Sequence, residues 1–142
     1  MFALHTQLAK DCITIGDLPL SRVLLLNDAN YPWLVLVPRR EEIIELFELS
    51  RVDQQQLLDE IAQVSAAMAG HFRADKMNVA ALGNVVPQLH VHIIARFNTD
   101  KAWPKPVWGT VPAQPYADDV LRDRIAEIEA LLSSPDFQPA IR

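Results

Sequence analysis

The residues best suited to chemistry gather in one stretch of this 142-residue chain, Gln88-Leu89-His90-Val91-His92-Ile93-Ile94-Ala95-Arg96. Polar and apolar residues alternate there with period two, the pattern of a half-buried strand. Successive strand side chains point to opposite faces, so Gln88, His90 and His92 are expected on one face and Leu89, Val91 and Ile93 on the core side. Same-face neighbours lie roughly 7 Å apart, which lets two imidazoles and a carboxamide act on one ligand. Just upstream, Gly83-Asn84 reads as a turn that can aim backbone N–H groups at an anion beside the histidines.

Three chemistries fit that spacing. The histidines could be solvated or simply hydrogen-bonded on an ordinary polar strand face. A His-x-His pair on a strand also suits zinc or copper, but further ligands would have to come from His5, His71, Cys12 and scattered carboxylates, none at informative spacing. Finally, imidazole has a reference pKa of about 6.5 and can attack phosphorus as a neutral nucleophile near pH 7. Attack splits a hydrolysis into two steps through a phosphorus–nitrogen intermediate.

The same stretch resembles the signature of the histidine-triad (HIT) superfamily of nucleotidyl hydrolases and transferases, three histidines alternating with apolar residues. Here Gln-Leu-His-Val-His-Ile-Ile matches the last two histidines and places Gln88 at the first. The resemblance extends upstream to Trp33-Leu34-Val35-Leu36-Val37-Pro38 and the helix after it, and downstream to Trp103-Pro104, covering about residues 20–109. It implies an α+β, HIT-like fold: a five-stranded antiparallel meander with one long helix and a C-terminal helix. It also implies a purine nucleotide or nucleotide conjugate as ligand, and a homodimer. His90 takes the place of the nucleophile, and His92 would hydrogen-bond a phosphoryl oxygen or the leaving group. Gln88 could orient its neighbours but cannot shuttle a proton near neutral pH. Asn27 or Asp28 matches the position of the ribose-binding side chain, Gly83 and Asn84 the phosphate-binding turn, and Trp103 a segment near the partner's site. Two further departures stand out: Val85 replaces a hydroxyl residue, and Trp33 replaces a histidine frequent in the family. Together with Gln88, Trp33 suggests altered proton wiring. A noncatalytic nucleotide-binding or interaction domain of the same fold is the rival reading, with a His-x-His metalloprotein behind it.

The elements that must hold these residues can be read in order. Residues 2–10 suggest a helical turn, 12–17 a strand ending at Gly16-Asp17, and 22–27 and 33–37 an antiparallel pair across a polar turn. Residues 39–50 suggest a short helical turn. A long helix is expected over 53–72, with Asp53 and Gln56 as a capping box and Leu57, Ile61, Val64, Met68 and Phe72 as its apolar stripe. His71 near its end suits the helix dipole. Strands follow at 77–82 and 88–96, then an aperiodic segment rich in proline and tryptophan, and a last helix at 118–132 bearing Leu121, Ile125, Ile128 and Leu132. Strands, helix, strands and helix in that order specify α+β.

Composition bounds the rest. The length fits one domain over 1–142, with its core at about 11–110. A formal net charge of −5 argues against nonspecific nucleic-acid binding, which needs a basic surface. Arg39, Arg96, Lys101 and Lys105 are the candidates for local positive charge. The single cysteine, Cys12, excludes an intramolecular disulfide and fits a reducing compartment. No run approaches the roughly 20 apolar residues of a membrane span, and no basic n-region precedes an apolar stretch, so a cytoplasmic protein without membrane partners is expected. The sequence carries no cofactor motif, and the transfer chemistry itself requires no metal.

Overall fold

The computed structural model describes residues 1–142. A short helix α1 (Thr6–Asp11) leads into β1 (Cys12–Asp17), β2 (Ser21–Leu26) and β3 (Trp33–Pro38), then α2 (Arg51–Phe72), β4 (Lys76–Ala80), β5 (Val91–Arg96), α3 (Asp118–Leu132) and a two-residue β6 (Gln138–Pro139). The sheet is antiparallel throughout, in the order β4-β5-β3-β2-β1-β6. It has six strands rather than the five expected. The order is also no simple meander after β3, because β5 inserts between β3 and the edge strand β4. β6 is too short to leave a period in sequence. It is seated against Gly16, where any Cβ would collide with the Phe137 ring and the Gln138 carbonyl.

The sheet is covered on both faces. One face packs Ile15, Val23, Leu25, Leu34, Leu36 and Ile93 against Val64 and Met68 of α2 and Ile128 and Leu132 of α3. The other carries Leu24, Trp33, Val35, Val37 and Ile94, covered by Leu8 of α1 and by Ala102 and Val107 of the proline- and tryptophan-rich segment. The histidine face is therefore an apolar second core rather than a solvated surface. α2 begins two residues earlier than expected. Ser50 Oγ, not Asp53, accepts the capping bond (from the Asp53 N–H, 3.1 Å), while the Asp53 carboxylate takes a bidentate bond from Arg40. Residues before it form only a 3-10 turn at Leu46–Glu48. His71 Nε2 lies 2.8 Å from Glu127 Oε2, linking α2 to α3. No helix is long and apolar enough to cross a membrane.

A buried ion pair holds the segment over the histidine face. Arg96, at the end of β5, is 2% exposed and donates to both carboxylate oxygens of Asp100 (2.8 and 3.1 Å), to Asn78 Oδ1 and to the Lys105 carbonyl. Asp100 in turn accepts from the backbone N–H groups of Phe97, Ala102 and Trp103. Burial would raise its carboxyl pKa, but the bonds from Arg96, Phe97 and Trp103 outweigh burial and hold it at about 2. This contribution to stability is complete above the ordinary value of 3.8 and is lost as pH falls through about 2. Replacing Arg96 by Met strands a buried carboxylate, so unfolding in urea should show a loss of about 3–5 kcal/mol. A loss under about 1 kcal/mol, the scale of an exposed pair, would contradict this role.

Candidate active site

β5 begins at Val91, three residues later than the alternation suggests, and this decides where the motif's side chains go. The Leu89 N–H donates to the Ile43 carbonyl instead of joining the sheet. Gln88 turns away: its Nε2 donates to the Ala3 carbonyl (2.9 Å) and its Oε1 accepts from the His5 N–H (2.8 Å). The carboxamide thus fastens the N-terminal segment and lines a separate depression with Met1, Phe2, Ala3 and Arg40.

His90 and His92 do converge. They are 6% and 7% exposed, with ring centroids 4.9 Å apart and planes at 74°. His90 Nδ1 lies 2.7 Å from the Gln88 carbonyl oxygen. A carbonyl only accepts, so in the neutral ring Nδ1 carries the proton and Nε2 keeps its lone pair. His92 takes the opposite tautomer. Its Nδ1 accepts from the Trp33 indole N–H (3.0 Å), a group that only donates, so the proton of the neutral ring sits on Nε2. Sheet register makes this bond possible: Val35 pairs with His92 across β3 and β5, which leaves Trp33 diagonal to His92 on the same face. Burial, and then the neighbouring His90, push the His92 pKa down from 6.5 to about 4.

The two rings open into a cavity of about 430 Å³ lined by Leu8, Asp11, Leu26, Trp33, Leu82, Gly83, Asn84, Val85, Val86 and Trp108. Trp108 packs edge-on against both His92 (5.0 Å) and Trp33 (5.6 Å). A larger groove of about 850 Å³ runs along the outside of α2, but its walls hold no histidine or cysteine. Both histidines face the smaller cavity.

Of the sequence candidates, His90, His92, Gly83 and Asn84 line this cavity, and Gly83 makes its turn at φ 75°. Four others do not. Gln88 contributes only its backbone carbonyl. Asn27 Oδ1 is taken by the Tyr116 N–H, and buried Asp28 accepts from the N–H groups of Asn30 and Gln114, so both fasten the segment before α3. Trp103 lies over the Arg96 guanidinium, 5.8 Å from it. None of the four candidate cations reaches the cavity: Arg96 is buried in its pair, and Arg39 donates to the Leu18 and Pro19 carbonyls. Leu8 and Asp11 were not foreseen: both lie on α1, whose helical pattern carries no sign of a site, and only folding brings them to the histidines. The thiol of half-buried Cys12 is pushed up to about 12 by burial and by Asp11. No three His, Cys, Asp or Glu side chains form a group able to hold a metal ion.

Residues 7–99 match the HIT domain family, and the chain belongs to it. Solved structures agree. A histidine triad protein from Bradyrhizobium japonicum is 49% identical with a TM-score of 0.90, the match covering 93% of this chain and 98% of that one. One from Marinobacter aquaeolei VT8 is 48% identical (TM-score 0.91; 93% and 96% covered), and one from Sinorhizobium meliloti 1021 is 45% identical (TM-score 0.89; 93% and 98% covered). No curated protein sequence matches significantly.

The lowered His92 pKa has a consequence for stability. The folded state disfavours the protonated ring, so the contribution of neutral His92 is full above 6.5, erodes as pH falls, and is gone below about 4. His92→Asn keeps an acceptor beside Trp33 but cannot titrate. Urea unfolding between those pH values should therefore fall less steeply with acid in the variant than in the wild type. Parallel slopes would show that His92 is not the group responsible.

Proposed function

We propose that this chain is a nucleotide-binding phosphohydrolase or nucleotidyl transferase that works through a covalent nucleotidyl-His90 intermediate. The observation that carries this reading is the pair of opposed tautomers. His90 presents a lone pair on Nε2 and His92 presents an N–H on Nε2, a nucleophile beside a donor for the oxygen it charges. His90 Nε2 attacks phosphorus and forms the P–N bond, while the bond to the leaving group breaks and its electron pair departs with that group. The positive charge then on the ring is stabilised through Nδ1–H and the Gln88 carbonyl. Water attacks phosphorus next, the P–N electron pair returns to Nε2, and one water proton passes to solvent. In transfer, another acceptor takes the place of water.

The apolar walls formed by Leu8, Leu26, Trp33 and Trp108 suit a flat purine base, and the volume lies in the range of small-molecule sites. Asp11 is the cavity's only carboxylate and takes over the ribose-hydroxyl role expected of Asn27 or Asp28. Gly83 and Asn84 border the phosphate. His90→Gly should reduce nucleotide turnover to background and abolish the mass increment of one nucleotidyl group on the intact chain. Near-normal turnover would sink the mechanism. Binding without turnover or adduct in the wild type would favour the noncatalytic rival.

A second copy of this chain is the partner proposed. Exposed Val79, on the free edge strand β4, and exposed Leu82 and Val85 beside the cavity offer it apolar surface. Light scattering at micromolar concentration should return twice the chain mass, whereas a monomer would remove the dimer.

A further inference from the structure

How a leaving group departs depends on the protons the cavity can supply. Neutral His92 has one, on Nε2, and losing it would create an imidazolate anion in a buried and largely apolar site. A second proton could enter only at Nδ1, where the Trp33 indole N–H already points. Two donors cannot share that line. Around His92, β3 contributes Trp33 and Val35, β4 places Ala80 opposite, and the segment after β5 contributes Trp108, none of them titratable. The other titratable groups of the cavity are Asp11 and His90. His90 spends Nε2 on phosphorus and directs its Nδ1 proton at Gln88. Asp11, a carboxylate, accepts. No lysine, arginine or tyrosine lines the walls.

We propose that Trp33 is a positioning residue that confines His92 to its single-proton tautomer, restricting the site to nucleotides whose leaving group departs as a stable anion without taking a proton. Phosphate or a second nucleotide, leaving from a phosphoanhydride, meets that condition. An amine or an alkoxide does not. The proposal rests on His90 as nucleophile and deepens that reading by naming the substrate class. The depressed basicity of His92 acts in the same direction, since the ring stays neutral well into acid.

The test is a series of adenosine 5′-phosphate derivatives with para-nitrophenol, phenol, methanol or an alkylamine as leaving group. For each, kcat/KM is measured from about pH 5 to about pH 8, the window in which histidine ordinarily changes charge. A ratio between two derivatives cancels every pH dependence that both share. In the wild type, kcat/KM should fall steeply in the order given, and the nitrophenyl-to-methyl ratio should not change with pH. In Trp33→Phe, His92 becomes free to take a second proton. That ratio should then narrow on the acid side by at least about tenfold, a part of the roughly 10²–10⁴-fold a positioned general acid supplies. A wild-type ratio near one, or one that narrows with acid, overturns the proposal. So does an unchanged ratio in folded Trp33→Phe. Should that variant fail to fold, the wild-type ratio alone decides. Intact-mass analysis of the His90 adduct separates the two layers: a shallow leaving-group dependence with the adduct present removes only this proposal. No adduct from any derivative removes the nucleophile and the proposal together.

Discussion

Two imidazoles packed 4.9 Å apart beneath an apolar cover each bond a partner of fixed role, and the rest of the site follows from how the chain keeps the two rings different. A backbone carbonyl fixes the proton on Nδ1 of His90, and an indole N–H excludes it from Nδ1 of His92. Each partner can play only one role in a hydrogen bond, so each ring is left with one neutral form. Before any ligand arrives, one ring thus offers a lone pair at Nε2 and the other an N–H.

The fold supplies both partners from strongly constrained backbone. Trp33 opens β3, whose six residues are all buried, and pairing with β5 fixes its offset from His92. The Gln88 carbonyl sits just before β5, in a segment held from one side by the Ile43 carbonyl and from the other by the N-terminal residues that the Gln88 carboxamide ties down. Above the rings, the Arg96–Asp100 pair anchors the segment that delivers Trp108. Buried ion pairs are weak sources of net stability but expensive to break in half. Here the pair pins an aperiodic segment that has little periodic structure of its own.

Much of this was legible in the sequence. The bounds of β1 and α3 agree with the hydrophobic pattern, as does the buried stripe of α2, because local period and tertiary burial coincide there. At residues 88–90 they diverge. The alternation is genuine, yet Leu89 bonds to residue 43 and Gln88 to residues 3 and 5, partners too distant for any local pattern to announce. Asn27 and Asp28 end a strand where the resemblance implies a ribose-binding side chain, but backbone N–H groups more than 80 positions away claim both side chains. Trp33 read as a missing histidine. In the structure its ring nitrogen donates to His92 and, unlike an imidazole, can neither accept nor release a proton there.

The behaviour of the site therefore turns on where two protons sit. In uniformly ¹⁵N-labelled protein, two-bond ¹H–¹⁵N correlation spectra distinguish Nδ1–H from Nε2–H in each ring, with His90→Gly and His92→Asn supplying the assignments. Neutral His90 should show the Nδ1–H form and His92 the Nε2–H form, and His92 should stay neutral until the pH nears 4. A His92 that carries its proton on Nδ1, or takes a second one close to 6.5, would contradict this assignment.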